Sequence, residues 1–214
     1  MPLATDLVRL TKKNMEHICM IVDLDGYRVK HQPYIVRELG LYSLQHGSFS
    51  WFFENKLPYL SLEKRDRKTV NYVYHHIHGL RFESSKQEKA LPQPMVKPIM
   101  ESAYLRSRTQ QHTTVAYKGG CLEKNLLNEL QIPCVNLEDF GCPKVEKLMG
   151  MDEGFTCGRH KKPTHHCPKQ ETYLFYRWMQ SQLWNLFSQQ RICVGLQTNG
   201  SIRNHQFLLE AFDQ

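Results

Sequence analysis

The chain has 214 residues, 41% of them hydrophobic and three of them Trp. That is enough apolar side chain to build a folded domain, and it excludes a disordered polymer. A formal charge of +7 favours an anionic partner, nucleic acid first. The absence of any run of eighteen apolar residues excludes a membrane-spanning helix.

Residues 1–16 read as an N-terminal extension, 17–190 as one domain and 191–214 as a tail. Met1 to Asn14 lacks the apolar stretch of a secretory leader. His17-Ile-Cys-Met-Ile-Val-Asp23 is a short apolar run rich in β-formers, and it reads as a buried first strand stopped by Asp25-Gly26. Tyr34–Tyr42 and Ser48–Phe53 read as two further strands joined around His46-Gly47, which together predict an antiparallel meander. Lys64 to Tyr74 is predicted helical, with Val70, Val73 and Ile77 on one face. The polar stretch from Ser84 to Pro98 reads as a loop, and Ile99 to Arg108 as a helix.

Thr113–Tyr117 is the fourth predicted strand, followed by a helix carrying Leu122, Leu126, Leu127 and Leu130. Cys134–Leu137 is the fifth, followed by a short helix after Pro143. A long last helix is predicted from Lys169 to about Gln190, with Leu174, Trp178, Leu183 and Phe187 as core positions. The fold class is therefore α/β, and the order of elements is that of an RNase H-like fold with a mixed five-stranded sheet.

The most chemically informative stretch is Cys157-Gly-Arg-His160-Lys-Lys-Pro-Thr-His165-His166-Cys167. Thiolate and imidazole are the preferred ligands of structural Zn²⁺, and a C-x₂-H turn brings two of them to one ion. The imidazole is His160, His165 or His166; Cys142 is a lesser thiol candidate. Seven Cys, an odd number, argue for metal ligation in a reducing compartment, cytoplasm or nucleus, and against a disulfide framework. Asp23 and Asp25 can share one side if the strand bends at Gly26, and two carboxylates there suit Mg²⁺ or Mn²⁺. Two such ions about 4 Å apart would clamp the attacking and leaving oxygens of a phosphodiester.

Asp23-Leu-Asp25, followed by His76-Ile-His78-Gly-Leu80 after the first helix, resembles the DnaQ-type 3′–5′ exonucleases. That resemblance implies two more catalytic carboxylates: Glu123, at the end of Tyr117-Lys-Gly-Gly-Cys-Leu-Glu123, and Glu171, five residues after His166. Both stand where the family carries Asp, and the extra methylene shifts the oxygen, which implies weak nuclease activity. Arg37-Glu38-Leu-Gly-Leu-Tyr-Ser-Leu-Gln45-His-Gly47 is similar to the second strand of the Maelstrom domain, an RNase H-like relative of those exonucleases. The Maelstrom likeness implies a zinc set of Glu38, Cys157, His160 and Cys167. It also implies a role with silencing-complex proteins in small-RNA (piRNA) silencing of transposons.

Lys118, Lys124, Arg159, Lys161 and Lys162 are the candidate phosphate contacts, with Tyr117 or Tyr27 stacking bases. The expected function is a zinc-stabilised domain binding single-stranded RNA. The alternatives are an active metal-dependent nuclease using Asp23, Asp25, Glu123 and Glu171, and a protein-interaction scaffold.

Overall fold

A computed structural model describes residues 15–85, 89–149, 158–160 and 166–195, with side chains up to residue 183. The extension before residue 15 and the tail beyond residue 195 lie outside the described residues. The chain divides into two compact units, Met1–Met179 and Gln180–Gln214, and all five strands belong to the first.

The sheet is mixed, in the order β3-β2-β1-β4-β5. Strands β1 (Ile18–Tyr27), β2 (Ile35–Ser43) and β3 (Gly47–Phe52) form the antiparallel meander. Strands β4 (Thr114–Tyr117) and β5 (Cys134–Asn136) add in parallel on the other side of β1. Central β1 has strand neighbours on both edges and is buried almost throughout, and its first half, Ile18 to Val22, is correspondingly an apolar run before Asp23 and Asp25 alternate around Leu24.

Strand β1 does not stop at Asp25-Gly26, contrary to expectation. It continues to Tyr27, with a register shift between Asp25 and Gly26. Gly26 is needed for close approach, since a Cβ there would lie 2.0 Å from the Ile35 carbonyl oxygen. The Asp-Gly pair marks a β-bulge in this strand, and such a glycine is the usual sign of one.

Helix α1 (Lys64–His76) buries Val70 against Tyr27, Val29, Ile35, Leu62 and Phe82. Helix α2 (Val96–Ser107) starts three residues before the predicted Ile99, and Pro98 fits in its first turn, where no intrahelical donor is needed. It packs Val96, Met100 and Tyr104 into the main core with Val22, Leu24, Leu39 and Leu41. Helix α3 (Cys121–Glu129) adds Leu127 to the same core. A short helix α4 (Val145–Leu148) follows β5 and leads to the long helix α5 (Pro168–Gly195). Leu174 and Trp178 of α5 are buried as predicted, Leu183 is only half-buried, and the side chain of Phe187 lies outside the described residues.

Candidate metal centre

Residues two apart on a strand share a face, so Glu38, Gly40 and Tyr42 of β2 line one side of the sheet. Helix α5 crosses that side. Tyr42 stacks on Tyr176 with ring centroids 4.1 Å apart and tilts against Tyr173 at 6.0 Å. At Gly40 the helix start touches the strand backbone: a Cβ there would meet the Pro168 carbonyl carbon at 2.2 Å and the Lys169 nitrogen at 2.5 Å. The lone glycine inside a strand of bulky residues was the sequence signal for this approach, and the sequence reading passed over it. Its effect is to seat Cys167, one residue before α5, beside Glu38.

Glu38, His160 and Cys167 converge, with one ligand atom from each lying within 4.8 Å of the others. Glu38 is fully buried and Cys167 nearly so. The His160 Nδ1 donates to the His78 carbonyl at 2.6 Å, which leaves Nε2 as the ring's second nitrogen, 2.8 Å from Glu38 Oε2. In a neutral imidazole that nitrogen carries a lone pair, so two acceptors face one another and need a cation between them, either a proton or a metal. A backbone carbonyl fixing the far ring nitrogen is the usual support of a metal-bound histidine. The donor set fits Zn²⁺: one carboxylate oxygen, one imidazole nitrogen and one thiol sulfur, with a place for a fourth ligand. Cys157, the fourth predicted ligand, lies outside the described residues, as does His165.

Of the alternative donors, His166 turns elsewhere: its Nδ1 pairs with Glu171 Oε1 at 2.7 Å. The hydrogen bond to that carboxylate lifts the His166 pKa to about 9 against the opposing effect of burial. Its backbone nitrogen donates to the Ile77 carbonyl at 2.8 Å, tying the start of α5 to the end of α1. Cys142 is buried and is not one of the converging ligands, and burial pushes its thiol up to about 12. His78 is structural. Its Nδ1 accepts from the Leu80 nitrogen at 3.0 Å, so its Nε2 carries the proton it donates to the Gly26 carbonyl at 3.1 Å.

The four predicted catalytic carboxylates form a second, adjoining cluster. Asp23 pairs in register with Gly40, and Asp25 with Glu38. No bend at Gly26 is required for this, because β1 stays extended through Asp25 and positions 23 and 25 already share a face. Glu123, buried on α3, accepts from the Leu24 nitrogen at 3.2 Å, and Glu171, buried on α5, faces the same region. Burial raises the Asp23 pKa well above the usual range, and repulsion from Glu171, Glu123, Asp25 and Glu38 adds to it. Burial raises Asp25 too, with Glu171 and Glu38 adding repulsion, while His166 and His160 oppose the rise. Burial lifts Glu123 to about 7, with Glu171 contributing and two backbone hydrogen bonds opposing. The buried Oδ2 of Asp25 has no hydrogen-bond partner among the described residues. Carboxylates are hard ligands suited to Mg²⁺ or Mn²⁺, but among the described residues it is Glu38, His160 and Cys167, not these four, whose ligand atoms lie within 4.8 Å of one another.

The predicted nucleic-acid contacts divide. Lys124 is exposed. Arg159 is exposed as well, and its guanidinium sits 3.8 Å above the Phe52 ring. Lys118 is mostly covered, pairing with Glu138 at 3.4 Å and lying over the Phe175 ring. Lys161 and Lys162 lie outside the described residues. Neither Tyr117 nor Tyr27 is offered to a base. Both rings are buried in core clusters, and the Tyr27 hydroxyl is spent on the Leu80 carbonyl.

No helix among the described residues is long and apolar enough to cross a membrane. No known protein-family model matches the chain, and no curated protein matches it either.

Proposed function

We propose that the chain is a zinc-stabilised RNase H-like domain that binds single-stranded RNA, with weak or no nuclease activity. The strand order, with a three-stranded meander extended in parallel by β4 and β5, supports the RNase H-like reading. The observation that carries the zinc reading is the meeting of Glu38 of β2 with His160 and Cys167 of the segment that precedes α5. An ion held there acts as a clamp between sheet and helix, and its binding energy becomes folding energy. RNA binding rests on the basic charge and the family resemblance, as does a role in small-RNA silencing in cytoplasm or nucleus. The test is metal analysis of the purified chain together with RNA retention at rising salt. About one zinc per chain, lost in Cys167→Ser, is the expected result. A metal-free, fully folded protein would overturn the zinc reading, and RNA retention that ignores salt would overturn the RNA reading.

The gathering of Asp23, Asp25, Glu123 and Glu171 favours a second reading, a nuclease dependent on Mg²⁺ or Mn²⁺. The two readings separate on the double substitution Asp23→Asn, Asp25→Asn. Loss of cation-dependent RNA cleavage supports the nuclease, whereas an uncleaved RNA bound equally by both proteins supports the first reading.

A further inference from the structure

Helix α1 carries its charge in an unusual way. Lys64, Arg65 and Lys68 are exposed in its first turns, and Tyr72, His75 and His76 continue the same face toward its C-terminus. At 100° per residue these six positions fall within a sector of about 120°. The sector contains no acidic residue. Asp66 and the preceding Glu63 are turned toward the β1–β2 connection, where Asp66 accepts from the Lys30 nitrogen at 3.1 Å and Glu63 pairs with the Lys30 amine at 3.5 Å. Among the described residues Lys64, Arg65 and Lys68 have no carboxylate partner.

Cations in the first turn oppose the helix dipole, and like charges at i and i+4 repel. Asp66 and the N-cap Glu63 offset the dipole on the other side of the turn, so the basic face is left as a one-signed surface open to an anionic partner. Tyr72 adds a ring that is 59% exposed, tilted against His76 at 4.9 Å. The far end of α1 runs into the metal centre, where the Ile77 and His78 carbonyls receive the His166 nitrogen and His160 Nδ1.

We infer that the outer face of α1 is a track for the phosphate backbone of single-stranded RNA, with Tyr72 offering a stacking surface. This rests on the RNA reading given above and names the surface that would serve it. Cationic side chains at i and i+4 stand about 6 Å apart along the axis, and an exposed ring one turn further on, Tyr72, suits bases of any sequence.

The experiment measures the affinity of the full chain for oligouridine as a function of salt, in the wild type, in Arg65→Gln/Lys68→Gln and in Tyr72→Ala. Two lost phosphate contacts should flatten the log–log salt slope by about 1.4 and weaken binding about 25-fold at 0.1 M salt. Tyr72→Ala should weaken binding about fivefold or more with the slope unchanged. All three positions are exposed, so the melting temperature serves as the control for folding. An unchanged slope and affinity in the double variant overturns the inference and leaves the RNA reading standing. A wild type that does not bind RNA overturns both. If polyglutamate at equal charge binds the wild type as tightly as oligouridine, and Arg65→Gln/Lys68→Gln weakens both alike while Tyr72→Ala weakens neither, the face belongs to an acidic protein and the inference also fails.

Discussion

Glu123 offers the sharpest quantitative prediction. Its carboxyl is 5% exposed and its pKa stands at about 7, against an ordinary 4.5. A carboxyl with a raised pKa binds its proton more tightly in the folded state than in the unfolded chain. Its contribution to stability is therefore complete below pH 4.5 and is lost as the pH rises through about 7. Fully expressed, the shift is worth about 3 kcal/mol at 1.36 kcal/mol per unit. Glu123→Gln keeps an oxygen to accept from the Leu24 nitrogen and removes the charge. In buffer without added divalent cation, the substitution should stabilise the protein by about 3 kcal/mol at pH 8 and by only about 1 kcal/mol at pH 5. For a domain of this size, about 3 kcal/mol raises the melting temperature by about 6–12 °C. Thermal unfolding followed by circular dichroism at the two pH values reads the difference. An equal gain at both, or a loss at pH 8, would refute the view that Glu123 is a buried carboxylate under repulsion.

If the proposed zinc is held there, Glu38→Gln and Cys167→Ser should each lower the metal content in elemental analysis together with the melting temperature. Gly40→Ala should act on the same site without touching a ligand, because its methyl meets the Pro168 backbone at 2.2 Å. A cost of about 3 kcal/mol or more and reduced zinc content are expected, since a backbone cannot yield as a side chain tip does. The raised pKa of His166 has the same sign in a higher window: its ion pair with Glu171 is complete below the ordinary imidazole pKa of 6.5 and is lost as pH rises through about 9. Melting temperature should thus fall between about pH 6.5 and 9, and His166→Gln should flatten that fall.

The apolar runs of β1 and β2 and the spacing of Val70, Val73 and Ile77 were legible because period and β-branching report burial directly. Asp25-Gly26 misled, because a glycine needed for close strand approach looks in sequence like a turn. Glu38 and Cys167 stand 129 positions apart, and no local pattern joins them; only the resemblance to a known zinc set did. His160 was left open among three histidines, and it is set apart by the His78 carbonyl behind it, a long-range feature that spacing does not reveal. Tyr27 and Tyr117 looked suited to base stacking because composition cannot separate an exposed ring from one packed in a core.

The closeness of α5 to Gly40 also bears on how the molecule is made. The first hairpin leaves the ribosome more than a hundred residues ahead of His160 and Cys167, so Glu38 waits through most of translation without its ligand partners. Closure of so long a loop is slow and entropically costly. The nascent sheet would carry an open acidic face until the last helix docks, and truncation before residue 167 should yield a chain that chaperones hold rather than a smaller folded protein.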